Sequence, residues 1–273
     1  MRAIVAIIAA AFLTAACAAP ARVETPTPAA LRGDYFAFQS EALGRAMHIH
    51  VALPENYAAQ REAYPVVYLT DGDSLFPLLA PTQLFLTYDE PVPPAIIVGI
   101  AYGSFDPNAG NLRHIDFTTP APGAPGADAF QRFLAEELIP EVERRYRANP
   151  ERRVLVGQSR GAGFVLYSAL TAPDLFWGRI ASNPAMRPSM AAFPQEAAPA
   201  TRADLRLFLA SGARDRADLR ADAQAWSEHW RAAPARPWAF NNVTIANGTH
   251  AATVGEVYRQ GMICLFSEEA AVD

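Results

Sequence analysis

Lysine is missing altogether: every one of the 23 basic residues is an arginine. That excludes a lysine Schiff base, a P-loop phosphate lysine and a Ser-x-x-Lys nucleophile pair. Cysteine is nearly missing too, with Cys17 and Cys264 alone, so the fold does not rest on a disulfide framework. Cys264 lies in the apolar run GMICLF and reads as a packing residue rather than a nucleophile. Charge is sparse, at 19% of residues, with a formal net charge of -5 and no basic cluster. That balance excludes wholesale disorder and leaves no footprint for nucleic acid. A hydrophobic content of 51% over 273 residues suffices for one large buried core.

The N-terminus carries one positive charge at Arg2, the apolar run AIVAIIAAAFL, and then small residues. This is the pattern of an export signal, too short for a stable membrane span. Residues 1–18 read as the leader, 19–33 as a Pro- and Ala-rich flexible tether, and 34–270 as a single folded domain. LTAAC, ending at Cys17, resembles the lipobox of bacterial lipoproteins, with Thr14 where Leu is usual. The expected destination is outside the cytoplasmic membrane, as a periplasmic, lipid-anchored or secreted protein. Attachment through a lipidated Cys17 stands beside simple cleavage after Ala18 or Ala21.

From residue 35 the pattern predicts two strands joined near Gly44, with Met47, Ile49, Val51 and Leu53 on one side. His48 and His50 fall on the other side, where nothing nearby completes a metal site. YPVVYLT at 64–70 and AIIVGIA at 95–101 are near-continuous apolar strands, as in a parallel sheet covered on both faces. The first ends in DGDSLF and is expected to enter a helix of about ten residues. Residues 102–125 read as a long loop rich in Gly, Pro and Asn, of the kind that carries function. Residues 127–147 read as a helix with Phe130, Phe133, Leu134, Leu138 and Val142 inward and an interruption at Pro140. Strands are expected near 179–183, 205–211 and 238–245, and helices near 218–232 and up to about 266. The segment from Met186 to Asp204 is irregular and reads as a roof element. The predicted class is α/β, one domain, with a mostly parallel central sheet and helices on both faces. Ligands of such sheets lie beyond the carboxyl ends of the strands.

One turn at such a strand end stands out. In RRVLVGQSRGAGFVLYSAL, an apolar strand runs into GQSRG at 157–161 and then into a helix. A serine in that reversal is lifted above the sheet, and the first amides of the helix face any anion formed beside it. Ser159 is therefore the candidate nucleophile. His250, in the Gly-Thr-His turn after the last strand, is the candidate base, and Asp215, just beyond the strand at 205–211, the candidate acid. Asp218 and Asp222 are alternatives for the acid. The chain order Ser, Asp, His is that of an α/β-hydrolase. An oxyanion needs backbone donors, assigned to the amides of Arg160 and of Gly72 or a neighbour. His114 and Arg113 in the long loop, and Asp71, are candidate substrate contacts, with Arg113 alternatively bracing the loop through Asp116. His229 reads as a helix-surface residue.

The pieces YPVVYLTDGDSLF, NLRHIDFTTP, RVLVGQSRGAGFVLYSAL, LFLASGARD and NGTHAATV resemble the serine esterase family of the α/β-hydrolase fold. That family includes enterochelin esterase-like hydrolases, esterase D and feruloyl and acetyl esterases. The likeness spans about 35–267, and its specific parts are the strand-DG loop and the segment marked by Arg113, Asp116, Thr118 and Pro120. It implies hydrolysis of ester or thioester bonds through an acyl-enzyme, with the triad on Ser159, Asp215 and His250 and with neither cofactor nor metal. The implied substrate is a small-molecule or glycan-linked ester. Gln158 stands where many members have His, Ala162 where many have Gly, and SNPAMRP replaces a Ser-Pro-Ser or Trp-Trp pattern of siderophore-type members. The acyl and alcohol groups and the oligomeric state are left open. An acyltransferase using the same acyl-enzyme, or an α/β-hydrolase-like binding protein without activity, is the alternative.

Overall fold

The computed structural model describes residues 31–118, 126–186 and 193–267. The expected leader, Cys17 and nearly all of the tether lie outside the described residues. So do Pro120 with the end of the long loop, and part of the expected roof segment.

Eight strands form one sheet in the order β1-β2-β4-β3-β5-β6-β7-β8. β1 (Gly33–Ser40) and β2 (Arg45–Ala52) form an antiparallel hairpin. Gly44, at φ 67°, makes the turn between them, in a region that costs glycine nothing. β2 pairs antiparallel with β4 (Ile96–Ala101). From there the ladder is parallel through β3 (Tyr64–Leu69), β5 (Ala148–Gln158), β6 (Gly178–Ser182), β7 (Arg206–Gly212) and β8 (Ala239–Ile245). The inner strands are apolar at successive positions because both faces are covered. Met47, Ile49 and Val51 are buried, as the alternation predicts.

One face is covered by α1 (Gly72–Asp89) and α7 (Val254–Phe266). The other is covered by α3 (Ala127–Arg132), α4 (Ile139–Arg145), α5 (Arg160–Thr171) and α6 (Ala217–Ala232), while α2 (Arg113–Asp116) is a single turn inside the long loop. All five apolar residues predicted to face inward between 127 and 147 are fully buried. Between α3 and α4 the chain is π-helical over Phe133–Leu138, so the helical run continues into α4 and its irregular turn falls just before Pro140, which has no amide proton to donate. The helix after the DG turn is eighteen residues long rather than about ten. Pro77 and Pro81 are the reason: they look like breakers, but they lie four apart toward solvent, where water can serve the carbonyls they leave free.

Arg179 is the largest fully buried side chain. Its guanidinium donates to the carbonyls of Pro173, Phe176, Ser168 and Ala172 at 2.9, 2.8, 3.2 and 2.7 Å, closing the C-terminal end of α5. A cation is favoured at that end of a helix.

Candidate active site

Ser159 joins β5 to α5 at φ 57° and ψ -118°, a conformation that an L-residue adopts only when its surroundings impose it. The surroundings are glycines. A Cβ on Gly157 would lie 2.4 Å from the Gly161 carbonyl, and one on Gly161 would lie 2.4 Å from Thr70 Oγ1. The strand end and the helix start therefore touch backbone to backbone, and the Thr70 and Asp71 side chains of the turn after β3 pack directly on Gly161, leaving the serine above them. Ser159 N donates to Ser182 O, and Ser159 O accepts from Gly163 and Ala185.

The candidate acid and base arrive from the ends of β7 and β8. Gly212 closes β7 with its Cα packed on Gly248, where a Cβ would fall 2.4 Å from the Gly248 carbonyl. Ala213 and Arg214 donate backbone bonds to Ile245 and Gly248, so the turns after β7 and β8 run in contact. Their side chains complete a chain of hydrogen bonds. His250 Nε2 lies 2.9 Å from Ser159 Oγ, and His250 Nδ1 lies 2.9 and 3.0 Å from the two Asp215 oxygens. The Asp215 side chain is only 1% exposed, whereas that of His250 is 30% exposed. Asp215 Oδ1 also accepts the Arg216 amide. The rival carboxylates are elsewhere: Asp218 pairs with Arg216 on the exposed side, and Asp222 is buried within α6.

The loop after β3 lies against the elbow. Asp71 is the left-handed residue before α1, at φ 52° and ψ 45°, and one of its oxygens would lie 3.1 Å from a Cβ on Gly161. Gly72 is buried so tightly on Gly99 and Ile100 that a Cβ would come within 2.7 Å of their backbone. Arg113 does not brace the loop through Asp116. It reaches instead to Asp71 with both a 2.6 Å and a 2.9 Å bond, the planar fork fitting the carboxylate. Asp116 is buried and taken by Arg45 and by Tyr102 Oη. Burial pushes the Asp71 carboxyl up, against the opposing pull of the Arg113 hydrogen bonds. His114 is exposed in the α2 turn.

Two residues that local patterning does not flag hold the strand ends together. Asn183, buried and left-handed at φ 47°, receives the Gly212 amide on its side-chain oxygen at 2.7 Å while its own amide bonds Ala210. Gln158 Nε2 donates to the His250 carbonyl at 2.7 Å. The remaining histidines stay apart from these: His229 is exposed on α6, and His48 accepts or donates at 2.6 Å with Tyr35 Oη. Among the described residues no cluster of three or more His, Cys, Asp or Glu is placed to hold a metal ion, and no helix is long and apolar enough to cross a membrane.

Residues 40–257 match the family described as "Putative esterase". The ferri-bacillibactin esterase BesA of Bacillus subtilis (strain 168) is 35% identical over 159 residues, 52% of this chain and 54% of its own length. The siderophore triacetylfusarinine C esterase of Aspergillus fumigatus is 30% identical over 179 residues, 60% of this chain and 59% of its own. The chain thus spans a little over half the length of these relatives. Among solved structures, the BES protein from Bacillus cereus superimposes with a TM-score of 0.75 at 23% identity, covering 85% of this chain and 94% of that one. The enterobactin esterase FES from Shigella flexneri, solved in the presence of enterobactin, gives 0.67 at 22%, covering 85% and 58%. With more than half its length matched to the family and the fold shared, the chain belongs to that esterase family of the α/β-hydrolase fold.

Proposed function

We propose that the protein is a serine carboxylic ester hydrolase working through an acyl-enzyme, with Ser159 as nucleophile, His250 as general base and then acid, and Asp215 as the group that orients the imidazole. The observation that carries this reading is the unbroken hydrogen-bond chain from Ser159 Oγ through His250 to the buried Asp215. Ser159 Oγ attacks the ester carbonyl carbon as its proton passes to His250 Nε2, and Asp215 stabilises the imidazolium through Nδ1–H. The negative oxygen of the tetrahedral intermediate is met by the amides of Arg160 and Gly72, at the starts of α5 and α1, which follow the paired strands β5 and β3. Collapse breaks the bond to the alcohol oxygen, which takes the proton from Nε2–H. Water then attacks the acyl-enzyme by the same route in reverse, freeing the acid and returning the proton to Ser159. Asp71 and Arg113 brace the donor loop, and His114 with the exposed part of Arg113 forms the rim that a substrate meets.

The substrate is a small or medium ester encountered outside the cytoplasm. The relatives' names put siderophore esters first among the candidates. Turnover of a short-chain aryl acetate and butyrate by wild type and Ser159→Ala tests the chemistry. The loss is expected to be on the order of 10⁴-fold or more, and equal rates would overturn the reading. A panel of a ferric catecholate ester, a feruloylated sugar and acetylated xylan then ranks the substrate class. Export belongs to the same proposal, with Cys17 as the lipidated first residue. Wild type is then expected in the membrane fraction and Cys17→Ser in the periplasmic fluid, and an identical distribution of the two removes the anchor.

A further inference from the structure

We infer that Gln158 is a positioning residue for the base, holding the His250 backbone at the place from which its imidazole reaches Ser159. The inference rests on the esterase reading above and adds a residue to it.

Three successive carbonyls in the turn after β8 are each held by a different part of the molecule. Gly248 O accepts the Arg214 amide at 2.9 Å, which ties the base turn to the acid turn. Thr249 O accepts Thr253 Oγ1 at 2.6 Å, which ties it to the start of α7. His250 O accepts Gln158 Nε2 at 2.7 Å, which ties it to the strand that delivers the nucleophile. No strand pairing joins β5 to β8, because β6 and β7 lie between them in the sheet. The turn after β8 therefore reaches back over the ends of β6 and β7, and Gln158 there joins the residue preceding the nucleophile to the backbone of the base.

Asp215 grips the imidazole at Nδ1 and so sets its rotation, but Nε2 lies on the far side of the ring. With the His250 backbone released, the Nδ1 bonds act as a pivot and Nε2 swings across Ser159 Oγ. A misplacement of about 1 Å costs on the order of 10²-fold in rate. The neutral amide of Gln158 transfers no proton, so its effect passes through His250. The carbonyl it serves is in a half-buried turn where water can replace the lost bond, so the loss falls on position more than on stability.

The test compares Gln158→Met, which keeps the length and loses the donor, with Gln158→His, which keeps a ring N–H donor. Each is measured for kcat and KM on an aryl butyrate, for the rate of covalent modification by an aryl phosphonate ester, and for thermal midpoint. The expected result for Gln158→Met is a ~10- to 100-fold fall in both kcat and phosphonylation rate, with KM within about twofold and a nearly unchanged midpoint. Gln158→His is expected to recover most of the loss. Wild-type kcat in Gln158→Met, or a loss that follows the thermal midpoint and is not recovered by histidine, overturns the inference while Ser159-dependent turnover still stands. Absence of any Ser159-dependent turnover in wild type overturns the esterase reading itself, and this inference with it.

Discussion

Replacing Arg179 by Met removes a buried cation of similar volume from the end of α5. Four carbonyls lose a charge-assisted hydrogen bond, and two of these, Ser168 and Ala172, keep a backbone amide from Ala172 and Leu175. At about 1.5–3 kcal/mol for each such bond, the gross loss is about 6–12 kcal/mol. Against it stands the removal of a desolvation penalty of several kcal/mol, since Arg179 is fully buried and no carboxylate bonds it. The net destabilisation is about 3–5 kcal/mol, close to the cost of breaking a buried ionic arrangement from one side. For a domain of this size that lowers the thermal midpoint by about 6–20 °C. Urea unfolding monitored by far-UV circular dichroism reads the free energy, and calorimetry the midpoint. Turnover per folded molecule should be unaffected, because Ser159 is at the opposite end of the helix. A loss below about 1 kcal/mol with an unchanged denaturant slope would refute the reasoning.

Asp215→Asn keeps the shape but offers His250 Nδ1 an amide that favours the wrong tautomer, so kcat on an aryl ester should fall by about 10⁴-fold with the fold intact; a loss under tenfold would count against the assigned role. Gly212→Ala drives a methyl to 2.4 Å from the Gly248 carbonyl. The turns carrying Asp215 and His250 must part, and the expected result is a kcat at least about tenfold lower with about 1–3 kcal/mol of stability lost; wild-type kinetics would show that the contact relaxes harmlessly. Burial holds the His50 pKa below 6.5, opposed by Asp73 and reinforced by His48. The unfolded chain then takes up the proton first, so stability is full above the unfolded pKa and declines as pH falls through about 6.5. His50→Asn should flatten the fall in thermal midpoint between pH 7 and 5; parallel curves for the two proteins would exclude His50 as a source of it.

Legibility in the sequence followed the range of the interactions. Strands such as YPVVYL and the inward residues from Phe130 to Val142 are visible because burial writes a local pattern. Ser159, Asp215 and His250 can be nominated because each follows a strand in a turn of the right residue types. Their separations cannot, since they depend on the strand order β5-β6-β7-β8 and on glycine contacts such as Gly212 with Gly248. The choice of Asp71 over Asp116 by Arg113 is unreadable for the same reason, both carboxylates being within the reach that a loop arginine offers. Gln158 shows itself in sequence merely as an unusual residue before the serine, and its 2.7 Å bond to the His250 carbonyl exists only once two intervening strands are laid down. The length of α1 was hidden differently, because Pro77 and Pro81 carry a strong local signal that solvent on one side of the helix makes harmless.

The meeting of Gly212 and Gly248 bears on how this scaffold can be remodelled. With Arg214 bonded to Gly248 and Ala213 to Ile245, the turns after β7 and β8 share one wall and have no slack between them. An insertion or deletion in one shifts its neighbour by the same amount, so grafted loops at these two strand ends must be exchanged as a matched set. Among the described residues, the long loop before α3 makes no backbone hydrogen bond to either turn, and its tie to the site runs through the Arg113 side chain to Asp71.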